Sequence, residues 1–185
     1  MAARVVRVDR LIVDGYNIIH AWPELSAIKD VSLEDAREAL IAVLADYAAL
    51  GRLQVTVVFD SHRRPDAAGS TQTISGVRVV YSGRKSSADS VIERLLFEAE
   101  KADEVTLATS DGVQRDLALG KGIKTMSALT LKSQVEAATS RRNSQMRDRR
   151  DRSDLSRRLE DRLDPGSRER LDRLRGLKPP DQKPT

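Results

Sequence analysis

Four aspartates lie where the chain leaves a predicted strand or enters a predicted helix, and together they could hold a divalent cation. They are Asp14, Asp60, Asp89 and Asp111. Because these positions share one edge of an open parallel sheet, we expect their side chains to converge there. Converging carboxylates repel one another unless a cation neutralises them, and oxygen ligands favour Mg²⁺ or Mn²⁺ over zinc. The predicted chemistry is phosphoryl transfer, in which such a metal activates a water.

Each aspartate taken alone also has an ordinary structural explanation. Asp89 and Asp111 lie at predicted helix starts, where aspartate is a common capping residue. Asp60 could simply form the turn after its strand. Asp14 is the hardest to explain in this way, because it ends the strand that looks most buried. The prediction of a metal site therefore depends on the four positions jointly.

Six further polar residues near these aspartates could contact a nucleic-acid substrate. They are Asn17, Ser110, Gln114, His62, Arg63 and Arg84. Their amides and hydroxyls could hydrogen-bond phosphate oxygens, and their positive charges could steer an RNA backbone. Turn formation and helix capping are the ordinary alternatives for the uncharged ones. Glu93, one helical turn after Asp89, could be an additional metal ligand or an exposed helix residue.

The elements that would position these residues alternate between strands and helices. The predicted strands are 10–14, 54–60, 77–82, 104–111 and 123–126, and the predicted helices are 33–51, 87–101, 113–119 and 127–141. Ser32 and Ser87 are the expected N-caps of the first two helices. The segment through Pro23 and the segment 61–76 are predicted loops. Near-continuous apolar strands between helices indicate an α/β fold, with a mostly parallel sheet covered on both faces.

The charge of the chain changes sign after residue 140. Residues 1–140 hold 17 Lys and Arg against 19 Asp and Glu, whereas residues 141–185 hold 15 against 9. We predict one domain over 8–140, a basic helical tail over 141–177 made of two short helices separated at "DPG", and a disordered end over 178–185. A basic tail is typical of proteins that bind nucleic acid. A solvated, salt-bridged helix is the alternative.

Composition narrows the functional classes. The chain has no Cys and only two His, which excludes disulfides, thiolate chemistry and a His-rich metal site. No apolar run approaches the roughly 20 residues that a membrane span needs. The N-terminus lacks the apolar stretch of a secretory signal. We therefore expect no membrane association and a cytoplasmic location.

Four motifs carry a resemblance to a known family. "LIVDGYNIIHAWPEL", "VTVVFDSH", "SADSVIE" and "ATSDGVQ" occur in this order between about Leu11 and Val135. They resemble the YacP-like branch of the NYN domain family, which belongs to the PIN-like nucleases, and the tail motif "DLSRRLEDRLDP" resembles the same branch. The resemblance implies a three-layer αβα PIN-like fold with a mostly parallel central sheet and an Arg-rich C-terminal helical tail. It also implies a metal-dependent endoribonuclease that acts on mRNA in association with the ribosome.

By position, the resemblance assigns Asp14, Asp89 and Asp111 to the acidic metal-binding set and Asn17 and Asp60 to associated site positions. One departure concerns the start of the predicted helix 87–101. Relatives often have Glu-Thr-Ala-Asp there, whereas this chain has "SSAD", so that Ser86 stands where a carboxylate is common.

The departure at Ser86 leaves two hypotheses. The chain is either an active metal-dependent endoribonuclease, or a catalytically weak or inactive module that binds RNA or the ribosome. An aspartyl-phosphate phosphatase would need a second aspartate two residues after Asp14. That position is Tyr16, so this third class is set aside.

Overall fold

The structure is a computed structural model that describes residues 9–161, in which strands and helices alternate along the chain. In order, the elements are β1 (Arg10–Asp14), α1 (Gly15–Ala21), α2 (Pro23–Val31), α3 (Leu33–Gly51), β2 (Gln54–Phe59), β3 (Thr71–Ile74), β4 (Val77–Tyr81), α4 (Ala88–Phe97), β5 (Val105–Ala108), α5 (Gly112–Gly120), β6 (Lys124–Met126) and α6 (Ala128–Asp161). Short 3₁₀ turns follow β2 and precede β5.

A six-stranded sheet forms the centre of the fold, with the order β3-β4-β2-β1-β5-β6. All neighbouring strands are parallel except β3, which pairs antiparallel to β4 at one edge. Val13 of β1 lies beside Val57 of β2 and Ala108 of β5. This register brings the carboxyl ends of the three strands side by side, where the parallel arrangement predicts a ligand site.

Helices cover both faces of the sheet. On one face, α1, α2, α3 and the beginning of α6 pack on β1 and β2 through fully buried side chains such as Ile18 and Leu40. On the other face, α4 packs through Ile92 and Leu96 and α5 through Ala118. Removing each large aliphatic side chain from water stabilises the fold by about 1.5–3 kcal/mol. The predicted three-layer α/β fold with a mostly parallel sheet is confirmed.

Both predicted loops contain regular structure. The segment through Pro23 forms α1 and α2, because Asp14 caps α1 and Pro23 occupies the first turn of α2, where proline is tolerated. The segment 61–76 contains the edge strand β3, whose four residues are all exposed. An exposed edge strand carries no apolar alternation, so its residues show no periodic signal.

Helix α6 is longer than the sequence predicts. The expected end near residue 141 is wrong, because α6 continues to Asp161. No Pro or Gly lies within it to interrupt the backbone hydrogen bonds. No helix within residues 9–161 is long and apolar enough to cross a membrane.

The chain divides into two compact units, Met1–Ser140 and Arg141–Thr185. Within the second unit, the described residues up to Asp161 are helical. The predicted helix break at 164–166 and the predicted disordered end at 178–185 lie outside the described residues, as does residue 8.

Candidate metal centre

Asp14 lies at the carboxyl end of β1 and caps the helix that follows. Its Oδ1 accepts a hydrogen bond from the backbone N–H of Asn17 at 3.3 Å. Gly15 makes this abrupt strand-to-helix junction possible for a steric reason, since any Cβ there would overlap the ring of Phe59. The backbone of Gly15 is helical and could be adopted by any residue. Glycine is therefore required by the close approach of Phe59 and not by an unusual backbone conformation.

Asn17 connects α1 to the turn after β5. Its side-chain Oδ1 accepts a hydrogen bond from the backbone N–H of Ser110 at 2.8 Å. The Ser110 hydroxyl in turn accepts a hydrogen bond from the backbone N–H of Ala128 at 3.3 Å, at the start of α6. These two predicted substrate-binding residues thus hold three segments of the chain together beside Asp14.

Asp111 is fixed at the start of α5 from both sides. Its carboxylate accepts a hydrogen bond from the backbone N–H of Gln114 at 3.0 Å. Its own backbone N–H donates to the hydroxyl of the fully buried Thr109 at 3.1 Å. Asp111 is therefore a helix cap, in agreement with its ordinary explanation, and its charge lies near enough to Asp14 to raise the pKa of that carboxyl.

Gln114 joins two carboxylates from different elements. Its side-chain Nε2 donates to Oδ2 of Asp14 at 3.4 Å and also to Oδ1 of Asp89 on α4. Only 6% of Gln114 is exposed, and its Oε1 is buried without a hydrogen-bond partner. An unpartnered buried carbonyl oxygen costs about 1–3 kcal/mol. We call Asp14, Asp89, Asp111 and Gln114 the acid centre.

The electrostatics of Asp14 reflect this crowding. Burial raises the pKa of Asp14 from 3.8 to about 6, and repulsion from Asp89 and Asp111 adds to the rise. Hydrogen bonds from Asn17 and Gln114 oppose it. A carboxylate whose ionised form is disfavoured in this way gains most from a nearby cation.

Asp60 follows β2 and accepts hydrogen bonds from its own surroundings. Its Oδ1 accepts from the backbone N–H and Nδ1 of His62 at 2.8 and 2.5 Å, and its Oδ2 accepts from the backbone N–H of Ala88 at 3.3 Å. Partial burial raises the pKa of Asp60, but these hydrogen bonds outweigh it and the net shift is downward. Because Ala88 precedes Asp89, Asp60 anchors the beginning of the helix that carries an acid of the centre.

The remaining predicted contact residues lie on exposed loops. His62 follows Asp60, and Arg63 places its guanidinium carbon 5.5 Å from the ring centroid of Tyr16. Arg84 is exposed in the loop before α4. In the same loop, the hydroxyl of Ser86 accepts a hydrogen bond from the backbone N–H of Gly83 at 2.8 Å and so closes a turn. Glu93 is exposed on α4.

Tyr16 and Arg37 are not among the candidate functional residues that the sequence indicates. Tyr16 is buried in the first turn of α1, and its hydroxyl accepts a hydrogen bond from Nη1 of Arg37 on α3 at 3.1 Å. A signal was available in the sequence. Arg37 interrupts the apolar stripe of α3 at helical spacing from Leu33 and Ile41, where a charged residue is unusual.

Comparison with known proteins identifies the family. The model of the YacP-like NYN domain matches residues 11–176. This chain belongs to the YacP-like NYN domain family. The protein YacP of Bacillus subtilis (strain 168) is 37% identical over 129 residues, which span 69% of this chain and 75% of that protein.

Solved structures of the same relative agree with the fold. The crystal structure of a mutant of Rae1 (YacP) from Bacillus subtilis has a TM-score of 0.68 at 32% identity, covering 90% of this chain and 99% of that one. A second crystal structure of Rae1 (YacP) from Bacillus subtilis has a TM-score of 0.66 at 30% identity, covering 91% and 93% of the two chains. The domain is therefore nuclease-like in family and fold.

The donor set of this NYN domain fits a divalent cation. Carboxylate oxygens and an amide oxygen are ligands that Mg²⁺ and Mn²⁺ accept. Among residues 9–161, no three His, Asp or Glu side chains form a ready-made ion site. The amide nitrogen of Gln114 lies between Asp14 and Asp89. Turning that amide about its terminal bond would present the unpartnered Oε1 in place of the nitrogen and so add an oxygen ligand.

Proposed function

We propose that this protein is a divalent-metal-dependent endoribonuclease that hydrolyses phosphodiester bonds of RNA. The observation that carries the proposal is the meeting of Asp14 and Asp89 on the buried amide of Gln114. Oε1 of that amide is buried without a partner, which is uncommon for a polar atom and supports a further ligand at this site. Membership of a nuclease-like family supports the same function.

Asp14, Asp89, Asp111 and Oε1 of Gln114 would hold Mg²⁺ or Mn²⁺. The cation would supply positive charge against the phosphate oxygens and the leaving oxygen. Asp60 holds the backbone N–H of Ala88 and so fixes the beginning of α4. We assign Asp60 this anchoring role, with direct metal contact as the alternative.

Asn17 and Ser110 would hold the acid centre in register. Their 2.8 Å hydrogen bond joins the two turns that carry Asp14 and Asp111. Preorganised carboxylates lose less free energy when the substrate and cation bind, because little of the site must reorder. During hydrolysis the oxygen of a water bonds to phosphorus, the bond to the leaving oxygen breaks, and that oxygen gains a proton.

The exposed polar and cationic side chains of the two neighbouring loops would contact the RNA backbone. His62 and Arg63 follow β2, and Arg84 precedes α4, so they lie in two loops, one that begins at Asp60 and one that precedes the helix carrying Asp89. Arginine donates hydrogen bonds to phosphate through a planar fork. These contacts would offset the repulsion between a polyanionic substrate and the carboxylates.

We propose further that the substrate is mRNA in a ribosome-associated setting. The resemblance of the four motifs and of the tail motif to the YacP-like branch supports this context. The excess of positive charge in residues 141–185 supports binding to RNA or a ribonucleoprotein.

A cleavage assay with aspartate variants tests the proposal. Asp14→Asn and Asp89→Asn should each abolish cleavage, because each removes a charged oxygen ligand while keeping the shape of the side chain. Asp116→Asn is the matched control, since Asp116 is exposed on α5 outside the acid centre. Cleavage at the wild-type rate by both acid-centre variants would refute the proposal. Comparing naked with translated mRNA decides the ribosome-associated setting.

The second candidate function is a catalytically weak or inactive RNA-binding module. The hydroxyl of Ser86, which replaces a common carboxylate, is engaged with the backbone of Gly83 and adds no acid to the centre. Such a module would bind RNA with strong salt dependence. It would show no metal-stimulated cleavage at any Mg²⁺ or Mn²⁺ concentration, which separates it from the endoribonuclease.

A further inference from the structure

Arg37 is a buried cation without a carboxylate partner among residues 9–161. Only 5% of the residue is exposed, and its Nε is buried without a hydrogen-bond partner. Within the described part of the chain, its one hydrogen bond runs from Nη1 to the hydroxyl of Tyr16 at 3.1 Å. A buried charge without a counter-ion is costly by several kcal/mol. A bound anion would offset the cost of burying the charge of Arg37.

The hydroxyl of Tyr16 is a second hydrogen-bond donor beside Arg37. Because the hydroxyl oxygen accepts from Arg37, its own proton remains to be donated. No residue in the described part of the chain accepts that proton. The guanidinium polarises this O–H bond, so a negatively charged acceptor would bind it most strongly. Tyr16 lies in the first turn of α1, the helix that Asp14 caps, so this donor and an acid of the centre belong to the same end of one helix.

A second guanidinium lies over the same tyrosine. The Cζ of Arg63 is 5.5 Å from the centroid of the Tyr16 ring, a cation–π distance. Arg63 is exposed and forms no ion pair among the described residues. Its neighbour Arg64 makes a useful contrast: it lies over the ring of Tyr81 at 5.8 Å but is paired with Glu34 at 3.3 Å and with Asp66. The guanidinium N–H groups of Arg63, unlike those of Arg64, therefore remain available to a ligand.

Two further basic residues, His20 and Lys29, lie near Arg63. His20 and Lys29 are 3.3 Å apart between Nδ1 and Nζ. Burial lowers the pKa of His20, and the nearby charges of Lys29 and Arg63 lower it further. Asp30 opposes this effect and pairs with Lys29 at 3.4 Å between Oδ1 and Nζ. Arg37 and Arg63 are therefore the cations of this group that have no carboxylate partner in the described part of the chain.

We propose that Tyr16, Arg37 and Arg63 form an anion subsite that binds a backbone phosphate of single-stranded RNA next to the phosphate at the acid centre. The inference deepens the proposed function and rests on it. Guanidinium groups and a hydroxyl with a free proton offer only donors, which match the acceptor-only oxygens of a phosphodiester. Holding the neighbouring phosphate would fix the RNA chain relative to the carboxylates.

RNA binding can be measured without cleavage. The full chain carrying Asp89→Asn is titrated into a labelled single-stranded RNA oligonucleotide in EDTA, at several salt concentrations. Arg63→Gln and Arg37→Lys are added singly to this parent. Arg78→Gln is the matched control, because Arg78 is exposed near the amino end of β4, away from the carboxyl edge of the sheet.

Arg63→Gln should weaken RNA binding about tenfold. It should also reduce the slope of log Kd against log salt by about 0.7, the loss expected for one phosphate contact with a single strand. Arg37→Lys should weaken binding similarly, because lysine keeps the charge but loses the planar fork. Arg78→Gln should leave both quantities at the parent values.

Parental affinity and salt slope in folded Arg63→Gln or folded Arg37→Lys would overturn the subsite. Circular dichroism establishes folding, and Tyr16→Phe replaces Arg37→Lys in the comparison if the latter does not fold. Failure of the proposed function has a different signature. In that case the wild-type protein would not cleave RNA with Mg²⁺ or Mn²⁺, whatever the binding data for these variants.

Discussion

The side-chain oxygen of Asn17 accepts a hydrogen bond from the backbone N–H of Ser110 at 2.8 Å, across 93 positions of sequence. The same asparagine donates its own backbone N–H to Asp14 at 3.3 Å. One residue thus connects the strand end that carries Asp14 to the turn that precedes Asp111. The asparagine of the "DGYN" motif therefore fixes the relative positions of the two turns that carry Asp14 and Asp111.

Asn17→Ala should reduce RNA cleavage more than it reduces stability. Losing one hydrogen bond costs about 1 kcal/mol of unfolding free energy, whereas a small shift between the turns could lower the cleavage rate about tenfold to a hundredfold. Urea unfolding and a cleavage time course measure the two effects. Gln134→Ala removes the hydrogen bond with Tyr47 and should leave cleavage intact. Equal cleavage by Asn17→Ala and wild type would argue against this role.

Asp14→Asn should raise the unfolding free energy of the metal-free protein, relative to wild type, as the pH rises above about 6. The pKa of Asp14 is about 6 in the folded protein, above the 3.8 of an unperturbed aspartate. The neutral carboxyl therefore favours folding, an effect complete below pH 3.8 and lost as the pH rises through about 6. Asparagine cannot ionise and escapes this loss.

The unfolding free energy of Asp14→Asn should therefore gain about 2–3 kcal/mol over that of wild type between about pH 4 and pH 8. Urea unfolding in EDTA across this range measures the difference. Asp116→Asn, on the exposed face of α5, serves as the control and should show no such gain. A difference that does not change with pH would contradict the burial of an ionised carboxylate at this position.

Gln114→Glu should make folding depend on a divalent cation. The amide of Gln114 now donates to Asp14 and Asp89, and a glutamate there would repel both carboxylates. We expect a loss of about 1–3 kcal/mol of unfolding free energy in EDTA, recovered when Mg²⁺ or Mn²⁺ is added. Thermal unfolding with and without the cation gives the readout, and a variant that stays insensitive to both ions would count against the metal site.

Gly15→Ala should destabilise the fold through steric overlap. An added Cβ would meet the ring of Phe59, which is fully buried between Tyr16 and Tyr81 at centroid distances of 5.2 and 5.7 Å. Overpacking of a core typically costs about 1–3 kcal/mol. Thermal unfolding measures this cost, and Gly120→Ala is the control, since nothing lies within 4 Å of an added Cβ at Gly120.

The sequence predicted the sheet because its strands are apolar runs that end in recognisable turns. The predicted strands 10–14 and 77–82 agree closely with the observed strands Arg10–Asp14 and Val77–Tyr81. The capping serines Ser32 and Ser87 were also predicted, and each accepts a hydrogen bond from its helix. The sequence does not indicate α1 and α2, because proline is typical of loops. Here Pro23 lies in the first turn of α2, where proline is tolerated.

Within the candidate site, the sequence could indicate which residues come near one another but not how they are connected. Helix starts and strand ends are local features that the sequence indicates. Because parallel strands end at the same edge of a sheet, the convergence of Asp14 and Asp111 could be predicted from them. The bridge through Gln114 depends on side-chain conformation, which a one-dimensional pattern does not encode. Arg37 was missed for a different reason, because its partner Tyr16 is 21 positions away on another helix.

The most direct test of the account is metal-dependent cleavage of an RNA labelled at both ends. The wild-type protein should produce internal fragments with Mg²⁺ or Mn²⁺, produce none in EDTA, and regain activity when the cation is restored. Asp89→Asn should produce none under any of these conditions, because it removes a carboxylate of the acid centre. Fragments of equal yield in EDTA, or from Asp89→Asn, would contradict the assignment of this centre as a metal-dependent endoribonuclease site.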